Sequence, residues 1–70
     1  MSSIAKVIEV IAQSEKSFDD AVKNALAEVQ KSVSNVKSIW VENFSADVVD
    51  GKIGHYRVNA KVTFLVEGRK

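Results

Sequence analysis

From His55 to Val66 the sequence alternates without a break. Tyr56, Val58, Ala60, Val62, Phe64 and Val66 are interleaved with His55, Arg57, Asn59, Lys61, Thr63 and Leu65. A period of two held this long is a β-strand with one apolar face. Just ahead of it stands Asp50-Gly51, two residues that both tolerate the positive φ of a type I′ hairpin. The pair predicts a second strand, Ile39–Val49, folded back on the first. If the loop has two residues, opposed positions sum to 101. Ile39, Val41, Asn43 and Ser45 then share a face with Val62, Ala60, Val58 and Tyr56. Trp40, Glu42 and Phe44 fall on the other face with Lys61, Asn59 and Arg57. A β-bulge would move this register.

Upstream, Lys6–Gln13 (KVIEVIAQ) is rich in Val and Ile and reads as a further strand. Ser17 then opens Ser-Phe-Asp-Asp, a capping-box pattern with Asp20 in place of Glu or Gln. Asp19 and Asp20 favour the positive end of a helix. Phe18, Ala21, Val22, Ala25, Leu26, Val29 and Val33 recur at steps of three and four, which is one apolar stripe. Ser34-Asn35 is the expected exit. The order β-α-β-β predicts an α+β fold over residues 1–70, one domain. Its expected form is a three-stranded antiparallel sheet wrapped around one amphipathic helix.

Size makes such a domain marginal. An unfolded chain of 7.7 kDa exposes about 11,000 Å², and a domain this small buries roughly 60% of it. If somewhat over half of that is apolar, burial at about 25 cal/mol/Å² contributes on the order of 100 kcal/mol. Ordering the chain at about 1.5 kcal/mol per residue costs a similar amount. With no cysteine and a single histidine, His55, neither disulfides nor a metal site built by one chain can tip the balance. Oligomerisation is the remaining common remedy.

The same inventory excludes whole classes of function. There is no cysteine nucleophile, no second histidine, no Gly-rich phosphate loop (the glycines are Gly51, Gly54 and Gly68) and no paired-carboxylate motif, so an enzyme is not expected. A net charge of +1 with interleaved signs gives no reason to expect nucleic acid. The opening residues Met1-Ser-Ser-Ile-Ala-Lys lack a signal pattern and no apolar run reaches membrane-spanning length, so a cytoplasmic protein is the expectation.

Along nearly its whole length the sequence resembles the dodecins. The resemblance lies in Lys6-Val-Ile-Glu-Val-Ile, in the stretch from Ser14 to Val33, in Val49-Asp-Gly-Lys-Ile-Gly-His-Tyr-Arg-Val58, and in Lys61-Val-Thr-Phe-Leu-Val-Glu67. It implies a subunit that assembles as twelve copies into a hollow sphere and binds, stores or buffers a small molecule. In most members that molecule is a flavin, stacked in pairs between aromatic side chains at subunit interfaces. The resemblance places the family's usual tryptophan on Ser38 and its usual glutamine on Arg57, so both positions depart from the flavin pattern. Either flavin binding is weakened or lost, the reading an ungapped match favours, or a two-residue shift gives Trp40 the stacking role.

Ser38, Trp40 and Arg57 are therefore the candidate ligand residues, for riboflavin, FMN or a similar planar ligand. Two of them have a plainer reading that is the more frequent one. Trp40 would serve as an anchor between subunits, and Arg57 as an ion-pair partner of Glu42 or of a neighbouring subunit. Lys61 is read as a solvated strand lysine, and His55 as a metal ligand only if a symmetry axis brings copies together. The alternative class is a structural or ion-binding shell, with calcium as the example and Glu9, Glu42, Asp47 and Asp50 as its oxygen donors.

Overall fold

The computed structural model describes residues 3–67; Met1, Ser2 and the last three positions, Gly68 included, lie outside it. The elements follow the order β1 (Ser3–Ser14), α1 (Phe18–Gln30), β2 (Val36–Val49) and β3 (Lys52–Glu67). β3 is the central strand of a three-stranded antiparallel sheet ordered β1-β3-β2. The α+β expectation therefore holds, with each strand longer than its sequence pattern alone marks.

Asp50 and Gly51 have φ of 53° and 75°, and Val49 pairs with Lys52 across them. This is the two-residue turn that an Asp-Gly pair favours, because both positions need the left-handed region. β1 and β3 pair without interruption from Ser3↔Glu67 to Ser14↔Tyr56. Val58, Ala60 and Val62 of β3 are buried, and Ile8, Val10 and Ala12 lie opposite them. The helix presents Ala21, Ala25 and Val29 to this row. Small residues at steps of four let the helix axis approach the sheet closely, so the core is made of alanines and valines.

The helix start is built more elaborately than the capping box foresees. Ser17 Oγ accepts the Asp20 backbone N–H at 2.9 Å, as its N-cap position requires. Asp20 does not return the bond to Ser17 N; its carboxylate accepts from Ser14 Oγ at 2.6 Å. Ser14 Oγ in turn accepts the backbone N–H of Lys16 at 2.8 Å and that of Ser17 at 3.4 Å. One buried hydroxyl thus joins the end of β1 to the first turn of α1. Ser14→Ala should lower stability by about 2 kcal/mol, because it strands a carboxylate and two amides. Ser17→Ala should cost about 1 kcal/mol. Thermal melts of the two variants at matched concentration check the ranking; equal melts would contradict it.

At its other end α1 stops at Gln30, short of the Val33 that its apolar spacing reaches. Val33 N–H still donates to Val29 O at 3.0 Å, and Asn35 then turns the chain with φ of 61°. The stripe continues by one side chain after the regular helix has ended.

The hairpin register differs from the expected one. Positions sum to 101 from Ser38↔Thr63 to Val41↔Ala60, then to 102 from Asn43↔Asn59 to Asp47↔His55. Glu42 is the extra residue of a bulge, and an extra residue inverts the alternation beyond it. Ile39, Val41 and Trp40 lie on the faces expected. Asn43 and Ser45 do not lie under the helix but stand on the outer face, opposite Asn59 and Arg57. Phe44 is not on the outer face but opposite Val58, where Phe18 packs edge-on against it and against Tyr56, with centroids 5.2 and 5.0 Å apart.

Candidate ligand-binding face

The face of the sheet turned away from α1 is laid out in rows across β1, β3 and β2. Val7, Thr63 and Ser38 form one row, followed by Glu9, Lys61 and Trp40. Next come Ile11, Asn59 and Asn43, then Gln13, Arg57 and Ser45. Trp40 is 68% exposed, and Val7 and Ile11, two strands away on β1, are exposed on the same face, so no described residue covers them.

Of the three candidate ligand residues, Ser38 and Trp40 are neighbours on one face of one strand. Arg57 is not part of that contact. It lies four residues along β3 from Lys61, the partner of Trp40, a separation of about 13 Å. Its guanidinium is also engaged. Nη1 and Nη2 donate to Asp47 Oδ1 and Oδ2 at 2.9 and 2.8 Å, and Nε and Nη2 donate to Gln13 Oε1 at 2.9 and 2.6 Å. The fork therefore ties β1 and β2 together across β3. Glu42 is not its partner, as the regular register expected. Glu42 pairs with Lys61 at 3.3 Å, and the bulge brings Asp47 within reach of Arg57 instead. Lys61 is thus ion-paired as well as solvated, its side chain staying 42% exposed.

Sequence reasoning missed Gln13 and Asp47 as partners of Arg57. Gln13 stands directly opposite Arg57 in the β1–β3 ladder, a signal that pairing those two strands would have given. The Arg57 hydrogen bonds and charge hold the Asp47 carboxyl below its ordinary range; burial opposes this shift and the nearby His55 adds to it. A carboxylate with a depressed folded pKa contributes stability that is present above its unfolded value, about 3.9, and is lost as pH falls through the folded value. Asp47→Asn should therefore flatten the acid limb of the stability profile below about pH 4. Denaturation midpoints measured from neutral to strongly acidic pH check this; parallel profiles would contradict it.

His55 lies between two carboxylates, with Nε2 3.8 Å from Glu15 and Nδ1 4.0 Å from Asp47. Its two nitrogens address different partners, so the three groups do not converge on one point. Among the described residues no three His, Asp or Glu side chains gather into a group able to hold a metal ion. Among them, too, no helix is long and apolar enough to cross a membrane.

A βαββ chain with a three-stranded sheet over one helix, and an exposed tryptophan on its uncovered face, defines a class of small sheet-on-helix protein. The dodecin family profile matches residues 4–67, and the chain belongs to that family. Among curated proteins none matches the sequence. Solved structures do. The dodecin from Streptomyces coelicolor is 25% identical, with 96% of each chain covered and a TM-score of 0.91. The dodecin from Streptomyces davaonensis is 22% identical, with 97% of this chain and 100% of that one covered and a TM-score of 0.91. A calcium dodecin from Mycobacterium tuberculosis, described as calcium-chelating with a novel calcium-binding site, is 28% identical. It covers 96% of each chain with a TM-score of 0.81.

Proposed function

We propose that this chain is the subunit of a closed, hollow homo-oligomer of twelve copies that binds, stores or buffers a planar small molecule, a flavin in the first instance, and does no catalysis. The observation that carries this reading is the uncovered face around Trp40. An indole 68% exposed, on a sheet face that also exposes Val7 and Ile11, offers a stacking platform for a ligand or another copy to cover. The slender core supports the assembly. Its buried apolar residues are Ala21, Ala25, Val29, Val58, Ala60 and Val62, while Ile4, Val48, Val49, Ile53 and Val66 stay exposed in the single chain. A core of three alanines and three valines is too small to stand alone, so burial by neighbouring copies supplies the rest.

Ser38 borders the platform, whereas Arg57, about 13 Å along β3, is held in the Asp47–Gln13 clamp. Native mass spectrometry before and after a riboflavin or FMN excess tests the reading. An assembly of about twelve chains that gains flavin supports it. The same assembly without flavin gain leaves the shell and removes the flavin. A monomer or dimer overturns the reading.

The calcium-chelating relative from Mycobacterium tuberculosis favours a second reading, an ion-binding shell in which the Trp40 face makes only subunit contacts. With no metal-holding group inside one chain among the described residues, carboxylates from several copies would have to converge. Under that reading calcium raises the melting temperature and a chelator lowers it, and riboflavin changes neither.

A further inference from the structure

The bulge on the outer face bears on which planar molecules that face admits. Val41 pairs with Ala60 and Asn43 with Asn59, so Glu42 and Asn43 share the single partner Asn59. Beside them lies a cavity of about 180 Å³ lined by Glu9, Val10, Ile11, Glu42, Asn59 and Ala60. Its polar walls are two carboxylates and one carboxamide. It opens one row along β3 from the row of Trp40, a separation of about 7 Å, which a fused-ring plane stacked on the indole is long enough to span.

The charges on this stretch do not balance. Lys61 is engaged by Glu42 and Arg57 by Asp47, whereas Glu9, directly opposite Lys61 in β1, makes no ion pair among the described residues. Among the described residues of these rows one carboxylate is left over, while both cations, Lys61 and Arg57, are already paired.

We infer that the cavity at the Glu42 bulge reads the edge of a planar ligand stacked on Trp40, and that it selects neutral or cationic heteroaromatic rings bearing N–H donors over anionic, phosphorylated ones. The inference rests on the reading of Trp40 as the platform. Ionised carboxylates only accept hydrogen bonds, and a ring N–H donated to a carboxylate makes a bond roughly twice as strong as a neutral one. A phosphate reaching the same face meets an uncompensated carboxylate and a guanidinium already held, so the site discriminates by repulsion as well as by fit.

Riboflavin and FMN share one ring system and differ by a phosphate, and proflavine supplies a planar cation. Quenching of Trp40, the sole tryptophan, is titrated with each at low and high salt. Riboflavin and proflavine should bind about tenfold more tightly than FMN at low salt. The gap should narrow at high salt and close in the Glu9→Gln/Glu42→Gln double variant. FMN binding as tightly as riboflavin overturns the inference and leaves Trp40 as the platform, and a gap that survives the double variant does the same. Quenching by none of the three overturns the platform reading and the inference with it. If the double variant does not assemble, Glu9→Gln alone carries the comparison, since Glu9 holds no ion pair to lose.

Discussion

Trp40→Ala should abolish riboflavin binding and leave the mass of the assembly unchanged. The indole is the one large aromatic on the uncovered face, because the bulge sends Phe44 to the helix side. A tryptophan ring covers on the order of 150–250 Å², and stacking adds about 0.5–1.5 kcal/mol beyond burial. A ligand on one face of the indole covers about half of that area, so at about 25 cal/mol/Å² the loss is about 2–4 kcal/mol, which lowers affinity by about thirtyfold to a thousandfold. The assembly loses less, since Ile4, Val7, Ile11, Val48, Val49, Ile53 and Val66 remain to make subunit contacts. Equilibrium titration with riboflavin, alongside native mass spectrometry of the same sample, reads both quantities. A variant that falls apart, with wild-type affinity in whatever assembly survives, makes Trp40 a subunit anchor and sinks the ligand assignment.

Val7→Lys should have the opposite profile. Val7 lies on the same face, exposed in the single chain, one row from Glu9 in the wall of the bulge cavity. Under the proposed assembly an ammonium group here is buried against a neighbouring copy, and even paired with Glu9 its desolvation costs several kcal/mol at every equivalent contact of a symmetric assembly. Since the buried core is small, the separated subunit should unfold as it dissociates. Sedimentation should therefore show loss of the assembly, and circular dichroism a melt that falls and becomes steeply dependent on protein concentration. A folded, monomeric Val7→Lys chain would mean that the core suffices without partners.

Much of this architecture is visible in the residues because local and global signals agree. The Tyr56–Val66 alternation, the Asp50-Gly51 turn and the Ser17 cap each state a geometry that the sheet and helix then adopt. The bulge is different. Glu42-Asn43 carries no glycine or proline to mark an irregularity, and a bulge in the middle of a strand is fixed by packing on both sides of it. Phe44 reaches Phe18, which also packs on Tyr56, only if the strand gains a residue, and that contact is invisible to periodicity. The partners of Arg57 follow from the same shift. In a regular hairpin Asp47 would face Gly54; with the extra residue it faces His55, one step diagonal from Arg57. Ser38 and Trp40 were legible as neighbours because they sit on the regular stretch before the bulge.

The sheet order has a consequence for what happens when subunits come apart. β2, one outer strand, is broken by register shifts near Lys37 and Glu42. β1, the other, runs from Ser3 to Ser14 with no bulge, proline or glycine. Near its end Asn24 Nδ2 donates to the Gln13 carbonyl at 3.0 Å and so occupies one backbone acceptor of that strand. A long, regular, Val- and Ile-rich edge is a template for strand addition by any other chain. Subunits released by dilution, acid or mutation should therefore be lost to fibrillar aggregates as well as to unfolding. Recovery of the proposed assembly after such treatment should then fall as protein concentration rises.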